Sequence, residues 1–290
     1  MAHQRTIAEK IACRGLGLHS GEPVGFRLSP AAPGTGVVFI CCNAGTETEI
    51  PARDEFVSAS ANATTLAKDG ASVMTVEHLL AALSARGVDN VRVEVDGPEI
   101  PAMDGSAASF DSLLRDVGLC DQGGSRRVLE VRRGVGYADG SRSIQIEPAL
   151  GFGISYAVDF RHPAIGRQVL EIDDLTPARF EAEIAHARTF GFLDQVEALR
   201  RAGFARGACL DNTVVLDASG VMNEGGLRWP DEFVRHKVLD LVGDLALLGC
   251  PVRGRIRVER GGHAIHHALL RTLREQPDAW TLVSEGPAPA

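Results

Sequence analysis

Hydrophobic residues recur at helical spacing over Val234, Val238, Leu241, Val242, Leu245 and Leu248, which predicts one long helix over residues 230–248. The polar positions of that segment matter as much. His236, Asp240 and Asp244 are four residues apart, so a helix stacks them on one face, nearly opposite the apolar stripe. A surface helix would fill its polar side with Lys and Glu. Imidazole and carboxylate are instead the ligand types a divalent metal prefers. A second helix is predicted from Thr75, as N-cap, to Arg86, with Gly87 as its stop. Its body, Leu79-Leu80-Ala81-Ala82-Leu83, leaves no polar face, so Glu77 and His78 in the first turn are buried and need a partner or a purpose. Two readings stand: a satisfied core histidine with a capping Glu, or a third metal ligand with a base beside it.

Residues 3–57 carry short apolar runs broken by Gly and Pro, as strands and turns do. Within them Gly15-Leu16-Gly17-Leu18-His19-Ser20-Gly21 reads as a tight turn, because no helix follows to make it a dinucleotide loop; His19 could face a ligand there. Residues 90–95 alternate as a half-buried strand, a helix follows over 106–117, and residues 121–127 read as a linker. The order then restarts. Strands are predicted at 128–137, 143–146 and 153–160, and Thr176-Pro177 opens a helix reaching 187. A strand at 213–217, the long helix, a strand at 255–258 and a helix from Gly261-Gly262-His263 to 275 complete it. This repeated order suggests an internal duplication and an α+β protein of two domains, residues 1–122 and 128–280, with a tail over 281–290.

Composition narrows the class. The 290 residues are 44% hydrophobic and 23% charged, as in globular proteins, and 30 basic against 38 acidic residues give a net charge of −8. That balance argues against nucleic acid as partner. No apolar run approaches the roughly 20 residues that span a bilayer, and the N-terminus is not a signal peptide, so a cytoplasmic protein is expected. The six cysteines show no CxxC and are expected to be buried small apolar residues.

Five longer motifs complete the picture: Gly15 to Gly21; Thr75-Val76-Glu77-His78-Leu79; Pro98-Glu99-Ile100-Pro101 with Met103-Asp104-Gly105-Ser106; Ala187-Arg188-Thr189-Phe190-Gly191-Phe192; and Asp231 to Lys237 with Asp240 and Gly243-Asp244. In order and spacing, from residue 3 to 280, the chain resembles the UDP-3-O-acyl-N-acetylglucosamine deacetylases, the zinc hydrolases of lipid A synthesis in Gram-negative bacteria. The resemblance implies two similar domains, each a sheet packed against a helix pair, with the active site at their junction. It implies one zinc ion per chain held by His78, His236 and Asp240, with Glu77 as general base and His263 as electrostatic or acid partner oriented by Asp244. Thr189 would assist the oxyanion, Lys237 and Phe190 would lie beside sugar and diphosphate, and Phe160 would stack on the uracil. The segment 192–203, with Phe192, Leu193, Val196 and Leu199, would form an apolar passage for the acyl chain, although the same stripe would equally suit plain core packing. A monomer acting on a small UDP-acyl-sugar is expected. His266 and His267, where relatives often carry other polar residues, are expected to be exposed and without a chemical role. The chemistry suits the groups: an acetamide is a poor electrophile, so metal, base and oxyanion donors must each contribute. Two other readings compete. Another zinc amidohydrolase, such as a peptidase, is disfavoured because no His-Glu-x-x-His occurs, and a non-catalytic binding module, for RNA as an example, is disfavoured by the acidic charge.

Overall fold

The computed structural model describes residues 2–43 and 46–284. The first half runs β1 (His3–Ile7), β2 (Ile11–Leu16), β3 (Pro23–Pro30), β4 (Val37–Asn43), β5 (Thr46–Pro51), β6 (Val57–Ala59), β7 (Thr65–Lys68), β8 (Ala71–Val73), α1 (Glu77–Arg86), β9 (Val91–Val95), α2 (Ala108–Val117) and β10 (Leu119–Ser125). The second runs β11 (Arg127–Val131), β12 (Val135–Asp139), β13 (Arg142–Glu147), β14 (Phe152–Phe160), β15 (Gly166–Ile172), α3 (Pro177–Arg179), β16 (Phe190–Phe192), α4 (Val196–Arg201), β17 (Val214–Asp217), β18 (Gly220–Val221), α5 (Glu232–Leu245), β19 (Val252–Glu259), α6 (His263–Glu275) and β20 (Trp280–Ser284).

The two halves share one topology. The first main sheet is ordered β2-β3-β9-β4-β5, with β9 parallel to β4 and every other pair antiparallel. The second contains β12-β13-β19-β14-β15, with β19 parallel to β14 and the other pairs antiparallel. Each half inserts a three-stranded sheet, β6-β7-β8 or β16-β17-β18, before its first long helix. The duplication expected from element order is therefore present as strand pairing.

Local sequence explains the elements that position the site. On β9, Val91, Val93 and Val95 face the core, while Arg92 and Glu94 turn outward to Glu49 and Arg27. Helix α1 is buried from Glu77 through Leu83 and stops at Gly87, whose φ of +72° is left-handed. Helix α5 is buried on its apolar and its polar stripe alike. The reason is that α1 crosses α5, and α5 and α6 lie on the second sheet. The crossing is tight: a Cβ on Gly243 would stand 2.7 Å from the Glu77 carbonyl carbon and 2.9 Å from its Cα. Only glycine lets the two backbones approach so closely.

Several expectations are corrected. Thr75 does not cap α1; it sits at φ +59°, rare for a β-branched residue, and its hydroxyl donates to Glu99 Oε1 at 2.8 Å. Residues 121–125 of the expected linker belong to β10, which pairs antiparallel with β1. The helix expected to reach 187 ends as a π-helical turn at Ile184, although Thr176 does cap it. Of the expected tail, 281–284 lie in β20 against β11, and 285–290 lie outside the described residues. The cysteines are free, but Cys41 alone is buried, Cys13 and Cys250 are half-buried, and Cys42, Cys120 and Cys209 are exposed. On β4, Cys41 and Cys42 alternate, so one faces in and the other out. Among the described residues, no helix is long and apolar enough to cross a membrane.

Candidate metal centre and active site

The α1–α5 crossing brings His78 from the first half against His236 and Asp240 from the second, all three buried. His236 Nε2 lies 3.3 Å and His78 Nε2 3.6 Å from Asp240 Oδ1. Ligand atoms bound to a tetrahedral zinc at about 2.0 Å stand about 3.3 Å apart, so the spacing suits one ion. Two further observations fit a metal. Asp240 Oδ1 is buried with no hydrogen-bond partner, a costly state for a carboxylate oxygen. His236 must donate Nδ1–H to the Ala187 carbonyl at 3.1 Å, which leaves the Nε2 lone pair facing the group. Burial holds His236 down to about 3, so it is neutral at pH 7. Burial alone would raise the Asp240 carboxyl, but His236 and Lys237 beside it hold it well below the usual range. The Lys237 ammonium donates to Asp240 Oδ2 at 2.7 Å.

Next to this group lies a second buried polar cluster. Glu77 accepts the Thr64 backbone N–H at Oε2, 3.1 Å away, and its Oε1 faces His263 Nε2 at 3.6 Å. Burial pushes the Glu77 carboxyl upward, against the pull of His263 and His78. His263 and His266 each present Nδ1 to Asp244 Oδ2 at 2.7 Å; a carboxylate only accepts, so both Nδ1 atoms carry protons. His266 Nε2 is then the acceptor for the Tyr156 hydroxyl at 3.0 Å. Burial disfavours a cationic His263, but Asp244, then Glu77 and Asp240, outweigh it and push the ring up to about 10. Asp244, burial notwithstanding, is held far below the usual carboxyl range by His263 and His267. The atoms of Asp244, His263 and His266 also lie within 4.8 Å of one another, but 2.7 Å contacts are hydrogen bonds, shorter than the about 3.3 Å between ligands of one ion. His266 and His267 are thus buried, not exposed as expected. At 100° per residue both fall within a quarter-turn of His263 and flank Leu270, on the inward face of α6.

The remaining expected residues surround these clusters. Phe160, Phe190 and Phe192 form one half-buried aromatic group, with centroids 5.5 Å (Phe160–Phe190) and 6.0 Å (Phe160–Phe192) apart, and Lys237 lies over the Phe190 ring at 5.3 Å. Phe190 also meets His236 edge-on at 6.2 Å, so the aromatic group adjoins the His78, His236 and Asp240 group. Thr189 is pinned by its backbone between Gly105 and Val214, and its hydroxyl makes no hydrogen bond among the described residues. The segment after Phe192 forms a 3-10 turn and α4, in which no residue is buried; Leu193 is 46% exposed. Its apolar stripe is therefore not core. The chain returning from α4 bonds to the glycine-rich loop, Arg206 N–H to His19 O and Gly207 N–H to Leu18 O. His19 is buried there, edge-on to Phe204, with Nε2 unpartnered and its basicity lowered by burial.

Sequence reasoning quoted Glu99 within a motif without giving it a role, and passed over Thr64 and Tyr156. The fully buried Glu99 accepts from His19 N–H, Ser20 N–H and the Thr75 hydroxyl, and so ties the glycine-rich loop to the start of α1. Gly17 packs beside it: a Cβ there would meet the Ser20 hydroxyl and stand 2.5 Å from Glu99 Oε2, so a side chain would displace one or both. Nothing in the local sequence of Thr64 or Tyr156 marks them. For His266 and His267 the spacing from His263 was an available signal.

A family model described as UDP-3-O-acyl N-acetylglycosamine deacetylase matches residues 4–275. The chain is 50% identical over 285 residues to the UDP-3-O-acyl-N-acetylglucosamine deacetylase of Nitratidesulfovibrio vulgaris, covering 98% of this chain and 92% of that protein. It is 46% identical over 278 residues to the enzyme of that name from Oleidesulfovibrio alaskensis, with 96% and 91% covered. The Myxococcus xanthus enzyme of the same name is 45% identical over 281 residues, with 97% and 89% covered.

Proposed function

The chain belongs to the UDP-3-O-acyl N-acetylglycosamine deacetylase family, and we propose that it hydrolyses the N-acetyl group of a UDP-3-O-[(3R)-3-hydroxyacyl]-N-acetylglucosamine to acetate and the free amine, the committed step of lipid A biosynthesis. The observation that carries the site assignment is the orphaned Asp240 Oδ1, 3.3 and 3.6 Å from two imidazole nitrogens and beside a buried Glu–His pair. We assign one zinc ion to His78, His236 and Asp240; when bound, it supplies Lewis acidity to the acetamide carbonyl and to a water.

The chain's own residues supply the rest. Glu77, anchored at Oε2 by Thr64 N–H, keeps Oε1 available to take the proton of the attacking water. As the water oxygen bonds to the carbonyl carbon, charge develops on the carbonyl oxygen. The cationic His263 and the uncommitted Thr189 hydroxyl are the donors for it. The C–N bond then breaks, and the sugar nitrogen leaves protonated, with His263 Nε2–H as the proton source. Lys237 and Phe190 lie where they can meet sugar and diphosphate, Phe160 offers a face to the uracil, and His19 closes the other side. Phe192, Leu193 and Val196 offer unburied apolar surface to the acyl chain. We take the enzyme to be cytoplasmic and monomeric; light scattering of the purified protein checks the oligomeric state.

The test is acetate release from the UDP-acyl-sugar before chelation, after chelation and after zinc is restored. Activity lost and then regained near one zinc per chain supports the reading. A folded, zinc-loaded protein that releases no acetate overturns the substrate assignment. Release unaffected by chelation overturns the metal assignment.

A further inference from the structure

Thr64, which no motif singles out, is completely buried just before β7 and touches both catalytic carboxylates. Its backbone N–H donates to Glu77 Oε2 at 3.1 Å, and its hydroxyl donates to Asp244 Oδ1 at 2.6 Å. The hydroxyl has one proton, and the shorter contact to an ionised carboxylate claims it. Its lone pairs are then free to accept from His267 Nε2 at 3.0 Å. His263 Nδ1 is nearer to Asp244 (2.7 Å) than to the Thr64 oxygen (3.3 Å), so its proton goes to Asp244. The Thr64 hydroxyl proton and the His263 Nδ1, His266 Nδ1 and His267 Nε2 protons are then each used once.

Glu77 belongs to the first half, on α1, and Asp244 and His263 to the second, on α5 and α6. Among the described residues Thr64 is the one that hydrogen-bonds to both carboxylates. We propose, resting on the hydrolytic reading above, that Thr64 is a positioning residue: its hydroxyl fixes the Asp244 carboxylate while its N–H fixes Glu77, setting the base and the His263 ring at one distance across the junction. Asp244 Oδ2 already serves His263 and His266, so Oδ1 is the oxygen that settles the rotation of the group, and Thr64 is its hydrogen-bond donor. The backbone N–H to Glu77 survives any side-chain change, so substitution separates the two contacts.

Thr64→Val keeps shape and removes the hydroxyl. Expected is a kcat reduced about 10- to 100-fold with KM and zinc content within about threefold of wild type, the size a misplacement near 1 Å produces. Thr64→Ser, which keeps the hydroxyl, is expected to stay within about threefold of wild-type kcat on the same argument. A second readout uses metal-free protein: the downfield imidazole N–H proton signals of His263 and His266, bonded to Asp244, shift in Thr64→Val and hold in Thr64→Ser. Wild-type kcat in Thr64→Val with unmoved signals overturns the proposal, as does Thr64→Ser impaired equally with Thr64→Val. If Thr64→Val does not fold, Thr64→Ala takes its place, and loss of fold in both overturns it by making Thr64 merely structural. A wild-type protein without deacetylase activity would sink the parent reading instead, and the proton signals would still decide this one.

Discussion

Replacing Gly243 by alanine adds one methyl group where α5 crosses α1, against backbone rather than flexible side chain. Considered as an isolated helix position the change should stabilise, since alanine is favoured over glycine by about 1 kcal/mol in a helix interior. The contact works the other way. A Cβ would meet the Glu77 carbonyl oxygen first; clearing the carbonyl carbon alone, from 2.7 Å to an ordinary contact of about 3.4 Å, needs the helices to separate by about 0.7 Å, and clearing the oxygen needs more. Overpacking of this kind costs about 1–3 kcal/mol, the upper end applying because backbone cannot rotate away. The net is a loss near 2 kcal/mol, which for a chain of this size lowers Tm by roughly 3 °C. The more telling effect is on the metal. His78 rides on α1, while His236 and Asp240 ride on α5, and metal–ligand distances tolerate only about 0.2 Å. Zinc affinity should fall about 100-fold, the upper end of what displaced supporting groups cost. Competition with a fluorescent chelator measures affinity, and differential scanning fluorimetry of the metal-free protein measures stability. A Gly243→Ala protein that melts higher than wild type and holds zinc as tightly would refute the close-approach argument.

Three other outcomes follow from the same geometry. Asp240→Asn should abolish stoichiometric zinc while keeping the metal-free fold, because it removes a charge whose Oδ1 has no protein partner; retained zinc at one per chain, by atomic absorption, would contradict the ligand assignment. Asp104 is held below the usual carboxyl range: burial opposes this, but the Ser106 hydroxyl and the Arg228 guanidinium outweigh it. A depressed folded pKa contributes stability that is present above the unfolded value of about 3.9 and lost as pH falls through the folded one. Asp104→Asn should therefore flatten the acid limb of Tm against pH, and an unchanged limb would show that the pair contributes nothing. Leu193→Ser with Val196→Ser should leave Tm within about 1 °C, as expected of unburied positions, yet weaken a zinc-chelating hydroxamate with a long alkyl tail and spare a short-tailed one. Equal loss for both tails would remove the acyl-passage assignment.

Much of the site was legible in sequence because helical spacing is a local rule. His236, Asp240 and Asp244 announced one face of α5, and an apolar α1 body announced that Glu77 and His78 could not reach water. Element order likewise foretold two matching halves, which the sheet pairings bear out. Tertiary structure decided what depends on partners distant along the chain. Thr75 looked like a cap, but Glu99 holds it in a left-handed conformation. Residues 121–125 looked like a linker because a Gly-containing segment carries no sign that β1 awaits it. His266 and His267 looked like solvated polar residues; Asp244, Tyr156 and Thr64, brought from three other elements, supply the hydrogen bonds that let them be buried. By itself, the sequence determined which residues share a face and which faces must be covered, since periodicity is set by bonds a few residues long. Which polar group meets which, and so whether a buried charge is a cost or a catalyst, was decided only where the two halves close on each other.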